Sequence, residues 1–127
     1  MKKIYAGLLV TFASHAMAFD IDPRCNLPEQ LCELQLKFEA SDQELNDVYQ
    51  HIMSHIESDY FAASMVDKKE IKDSLIKSER AWLAFLKQNC NAVRVLNSGG
   101  SGKNEAETEC LIDMTNQRIH FLKETYR

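Results

Sequence analysis

Four cysteines follow what reads as a cleavable secretion signal, and three of them fall where helices are expected to begin or end. Disulfides are therefore expected to clamp one end of a small helical bundle, in the oxidising conditions outside the cytoplasm. Lys2 and Lys3 form a basic start, Ile4 to Ala13 an apolar stretch, and Ala16-Met17-Ala18 a small-residue cleavage site. Residues 1–18 are thus expected to be removed, leaving residues 19–127 as a single domain. The apolar run is about half of the roughly 20 residues that a spanning helix needs, so no membrane insertion is expected. Cys25 lies too far beyond the cleavage site to be an acylated lipoprotein cysteine. The expected location is the periplasm, if the host is Gram-negative.

Removing Lys2 and Lys3 from 15 basic residues leaves 13 against 19 acidic ones, a formal charge of −6. Nucleic acid and anionic membrane are poor partners for such a chain, whereas a cationic partner suits it. A domain of this size buries only a small core, and disulfides compensate for that in small secreted proteins.

Pro28 suits the first turn of a helix. Apolar residues then recur at Leu31, Leu34, Phe38, Leu45, Tyr49, Ile52 and Ile56, one face at helical spacing, predicting a helix over about 28–58. Asp67 is a candidate cap for a second helix, with Glu70 three residues later completing a capping box. That helix, with Ile71, Leu75, Trp82, Phe85, Leu86 and Val93 on its face, ends near Leu96 because Asn97-Ser98-Gly99-Gly100-Ser101-Gly102 cannot sustain it. Asn104 can cap a third helix whose face is Leu111, Met114, Arg118, Phe121 and Leu122. No stretch alternates with period two. The expectation is an all-α antiparallel bundle of three main helices, stapled at one end.

In an up-down-up arrangement Cys32, Cys90 and Cys110 meet at the same end, with Cys25 just before them. Four cysteines allow three pairings and spacing does not choose among them. The favoured pairing joins Cys90 to Cys110 across the glycine loop, and Cys25 to Cys32. A zinc site competes, but the short C-x-x-C spacing is missing.

These residues carry a family resemblance. Cys25, Cys32, the run Ala40-Ser41-Asp42-Gln43-Glu44-Leu45-Asn46-Asp47-Val48-Tyr49, the run Ser78-Glu79-Arg80-Ala81-Trp82-Leu83-Ala84-Phe85, Cys90, Gly99-Gly100-Ser101, Cys110 and Met114-Thr115-Asn116-Gln117-Arg118 together make a pattern. It resembles the LprI-like family of secreted lysozyme inhibitors over nearly all of the chain beyond the signal. The family usually has an arginine and an acid after the phenylalanine, where this chain has Leu86 and Lys87. The resemblance implies an all-helical fold, a protein partner of the lysozyme or other peptidoglycan-hydrolase type, no cofactor and no catalytic residues.

Among the shared residues, Asp42, Asn46, Arg80 and Arg118 lie beside apolar helix faces, where carboxylate–guanidinium pairing is expected to fix helix register. Tyr49 is expected on the core face and Trp82 at the centre of the core. His51 and His55 stand four apart, as two metal ligands would. The glutamate of H-E-x-x-H is missing, however, and no third ligand is marked, so solvated histidines are expected and no metal. Neither a nucleophile elbow around Ser98 nor a true phosphate loop at Gly102-Lys103 is present, and no enzyme is expected.

An inhibitor of a cleft enzyme needs a stiffly held projecting element. Two segments offer one. The glycine loop brings Ser98, Gly99, Gly100, Ser101 and Lys103, while the opposite connection brings Tyr60 and Phe61, aromatics of the kind that anchor interfaces. The target could be a host lysozyme, or a toxin for which this chain is the immunity protein. A cell-envelope structural or chaperone-like module is the alternative. Leu36, Ile76 and Leu83 are leftover apolar positions through which a homodimer could form.

Overall fold

The computed structural model describes residues 25–127. The expected signal, its cleavage site and the extended start over 19–24 lie outside the described residues. Three long helices make up the fold: α1 (Glu29–Glu57), α2 (Lys68–Leu96) and α3 (Lys103–Thr125). A single 3₁₀ turn, Ala62–Ser64, interrupts the connection between α1 and α2. No strand occurs among the described residues.

Each boundary has a local cause. Pro28 stands at the N-cap of α1, and its carbonyl accepts from the amides of Leu31 and Cys32 at 2.9 and 3.0 Å. At α2, Asp67 caps as expected from its position, but its carboxylate accepts from the amide of Lys69 at 2.8 Å. The capping box with Glu70 is not among the hydrogen bonds formed there. The third helix corrects the expectation at Asn104: Gly102 occupies the N-cap position, and its carbonyl accepts from Ala106 at 3.0 Å. The helix begins two residues earlier, at Lys103, with no side-chain cap.

Packing is uneven. The helix α3 packs along both α1 and α2, whereas α1 and α2 touch each other little. The core joins Leu45, Ile52 and Ile56 of α1, Leu75 of α2, and Ile119 and Leu122 of α3. Val48, Tyr49, Ile71, Trp82 and Tyr126 pack around it, half-buried. This core sits towards the 3₁₀ end, where the short connection draws α1 and α2 together over α3. Fully burying a leucine such as Leu75 or Leu122 contributes about 2 kcal/mol each.

At the opposite end the cross-links take over. Cys90 bonds Cys110, tying α2 to α3, and Cys25 bonds Cys32, tying the start of the described chain to the first turn of α1. Cys90 is fully buried, with the Met114 sulfur 3.7 Å away.

Three aromatic expectations are corrected. Trp82 lies at the edge of the core rather than its centre, while Phe85 and Phe121 are 58% and 52% exposed. With α3 contacting α2 along one side only, residues at the margin of an apolar face find no third helix to cover them.

Candidate functional site

Two ends of the bundle and one buried polar cluster are the places where side chains could act on a partner. The first is the α1–α2 connection. After Glu57 the chain turns through Ser58 and Asp59, where φ is 59°, and the Tyr60 amide donates back to the His55 carbonyl at 3.0 Å. The 3₁₀ turn then ends at Met65, also at φ 59°. Asp tolerates this left-handed conformation. Methionine gains nothing from it, and the conformation costs roughly 1 kcal/mol.

Aromatic contacts stiffen the connection. Tyr60 stacks on His55 with ring centroids 4.4 Å apart, His55 in turn lies 4.0 Å from His51, and Phe61 meets the edge of Tyr60 at 5.2 Å. Phe61 also meets Tyr126, the C-cap of α3, at 6.1 Å and packs against the core, so it is an internal prop. Tyr60, by contrast, is 57% exposed, and Met65 is 95% exposed. Ion pairs from Lys72 to Glu57 and from Lys68 to Asp59 fasten the start of α2 to the end of α1. The hydrogen bond and charge of Lys72 hold the Glu57 carboxyl below its ordinary value, and Asp59 raises the Lys68 ammonium in the same way. Met65 is the residue that sequence reasoning missed. Its signal, an exposed apolar side chain on a residue with left-handed backbone, exists only in three dimensions.

Among the described residues no group of three or more His, Cys, Asp or Glu side chains comes together as metal ligands would. His51 is exposed. His55 is half-buried, and its Nδ1 has no hydrogen-bond partner.

The glycine loop, residues 97–102, is about 40 Å away along the 29-residue α1. Its polar groups are largely turned back on the bundle. The Ser98 hydroxyl donates to Val95 O at 2.7 Å and the Asn97 side-chain amide to Val93 O at 2.8 Å. Gly99 and Gly100 adopt no positive φ, and a side chain at either would meet open space. Ser101 is exposed, beside the groove lined by Leu27, Leu31 and Leu34. Lys103 is half-buried inside the first turn of α3 and is not part of the loop. Thus Tyr60 and Phe61 sit at one end of the molecule and Ser98 to Lys103 at the other.

The third place is the polar cluster at Arg118. Its guanidinium donates to Glu79 Oε2 from Nε at 3.1 Å and from a terminal nitrogen at 2.9 Å, and to the Ser78 hydroxyl at 2.9 Å. It also lies over the rings of Trp82 and Phe121, at 5.8 and 5.3 Å from their centroids. The expected partners are different. Asp42 and Asn46 are exposed and bond only locally, Asn46 donating to the Asp42 carbonyl at 3.0 Å, and Arg80 is exposed with no acid partner among the described residues. Arg118 takes Glu79 because the two face each other across the α2–α3 seam, while Asp42 looks outwards from α1. This arrangement unites the Ser78–Phe85 run with the Met114–Arg118 run in one constellation.

The family model described as lysozyme inhibitor LprI matches residues 29–122, from the first residue of α1 to the core leucine Leu122. The chain belongs to the LprI lysozyme inhibitor family. No curated protein and no solved structure matches it. Membership brings a lysozyme as the kind of protein partner, and a family that is generally non-catalytic and typically extracytoplasmic. None of the described helices of this LprI-family chain is long and apolar enough to cross a membrane. Leu36 and Leu83 are 39% and 49% exposed, and Ile76 is half-buried.

Proposed function

We propose that this LprI-family chain is an exported inhibitor that binds and blocks a lysozyme-type muramidase. Residues 1–18 act as the signal, and the remaining protein works in the periplasm of a Gram-negative host. The observation that carries the reading is the family match over residues 29–122. The architecture supports it: a cross-linked bundle pays little ordering cost on binding, because its projecting element is already fixed.

The α1–α2 connection is the contact, with Tyr60 and Met65 as anchors and Phe61 as their internal support. Tyr60 is held by its stack on His55, and Met65, at the end of the 3₁₀ turn, stands clear of the bundle. The glycine loop is the lesser candidate, since the Ser98 hydroxyl is engaged and Lys103 belongs to α3. The enzyme blocked is a host lysozyme or a muramidase toxin delivered between bacteria, in the latter case making the chain an immunity protein.

The test is titration of the oxidised protein into a peptidoglycan-lysis assay, run with an animal lysozyme and with any muramidase encoded beside its gene. Stoichiometric inhibition of one enzyme is expected and identifies the target. Absence of inhibition by demonstrably folded protein would overturn the reading in favour of a cell-envelope module.

A further inference from the structure

Charge is segregated between the helices. α1 carries seven acidic residues and one lysine, whereas α2 carries seven basic residues and three acidic ones. Four of the α2 cations have acid partners: Lys68 with Asp59, Lys69 with Asp73, Lys72 with Glu57 and Arg94 with Glu107. The other three, Lys77, Arg80 and Lys87, are exposed and form no salt bridge among the described residues, although Asp73, the partner of Lys69, lies one turn before Lys77 and feels its charge.

These three are not scattered. At 100° per residue Lys77, Arg80 and Lys87 fall within an arc of about 80° on the side of α2 opposite Leu75. Ala81 and Ala84, both exposed, lie in or next to this arc, and the exposed Leu83 and Phe85 flank it. The small alanines keep the surface low, so a partner can approach the helix closely. Phe85 is 58% exposed and Leu83 49%, an apolar edge on each side of the positive stripe.

We propose that this outward face of α2 is a second contact with the muramidase, and that it faces the carboxylate-lined cleft. The inference rests on the inhibitor reading and adds the chemistry of the partner surface. Glycoside hydrolases of this kind place a pair of Asp or Glu side chains across the scissile bond, and a cleft concentrates their field. Lys77, Arg80 and Lys87 supply the complementary charge, with Arg80 able to bond a carboxylate bidentately, while Phe85 and Leu83 exclude water around them. An anionic membrane or polymer is a poorer occupant. Three cations give only about 1 kcal/mol each at an anionic surface.

The test uses the full disulfide-bonded protein and the enzyme that the wild type inhibits. Charge reversal in K77E/R80E/K87E is expected to weaken inhibition about 100-fold or more, and Phe85→Ala about tenfold, with helicity unchanged because none of these side chains holds the core. The neutral variant K77Q/R80Q/K87Q is expected to weaken inhibition less and to flatten its dependence on salt. Wild-type inhibition that survives charge reversal overturns the inference and leaves the inhibitor reading standing. If the wild type inhibits no muramidase, both fall. Loss of binding to purified peptidoglycan on charge reversal, with enzyme inhibition intact, assigns the face to the wall polymer and also overturns the inference.

Discussion

Replacing Glu79 by alanine removes the acceptor of two of the three hydrogen bonds made by the Arg118 guanidinium, leaving only Ser78 and two aromatic faces. The side chains of Arg118 and Glu79 are 8% and 13% exposed, so water does not readily replace the lost carboxylate. Breaking a buried pair from one side costs about 3 kcal/mol or more. The faces of Trp82 and Phe121 lie against Arg118 before and after the substitution and so do not offset this loss. A loss of about 3 kcal/mol is therefore expected, or roughly 15 °C in Tm for a domain of this size. The double variant Glu79→Leu with Arg118→Met takes away both charges and keeps the volume, and it should return to within about 1 kcal/mol of wild type. Urea denaturation of the oxidised protein, followed by circular dichroism, measures all three. A loss below about 0.5 kcal/mol for Glu79→Ala, or a double variant no better than the single, would refute the claim that the pair is effectively buried.

The core leucine Leu122, fully buried, should cost about 3 kcal/mol when truncated to alanine, read by the same melt. Replacing Cys90 and Cys110 by serine releases a cross-link spanning 20 residues and should cost about 3 kcal/mol by chain entropy, whereas reduction of wild type should reproduce that loss together with the Cys25–Cys32 contribution. Met65→Gly relieves the left-handed strain, so Tm should hold or rise slightly while inhibition weakens; a fall in Tm would show that the side chain packs on the bundle. Lys72, Lys69 and Lys37 hold the carboxyls of Glu57, Asp73 and Glu33 below their ordinary values. Depressed folded-state values mean that these pairs stabilise the fold above the ordinary carboxylate range, and that this contribution is lost as pH falls through the lower folded values. Tm should thus decline on acidification below about pH 4, less steeply in Glu57→Gln.

The period of apolar residues placed α1 and α2 almost to the residue, because Pro28, Asp67 and the glycine run punctuate the chain with backbone properties that do not depend on tertiary context. The start of α3 was less legible, since a glycine N-cap leaves no side-chain signal where Asn104 offers a misleading one. The meeting of the cysteines at one end followed from helix order alone. The polar cluster did not. That Arg118 needs a carboxylate could be read from its position, but its choice of Glu79 over Asp42 depends on which pair of helices share a seam, and α3 contacts both. The exposure of Phe85 and Phe121 has the same origin: an apolar face read from one helix does not say how many neighbours will cover it. For the candidate site, the aromatic connection was visible as composition, while the exposure of Met65 and the unpaired state of Arg80 come from geometry.

The central position of α3 bears on how the molecule is made. Because α1 and α2 make little contact with each other, a chain that has emerged only as far as Leu96 has two long helices and almost nothing to fold them against. Ile119 and Leu122, which complete the core, lie in the last turns of α3. Cooperative structure must therefore wait for α3, and the pairings that count are those between residues far apart in sequence, which form late. Under the export reading proposed above, this order of helices would leave α1 and α2 without a complete core until α3 joins them.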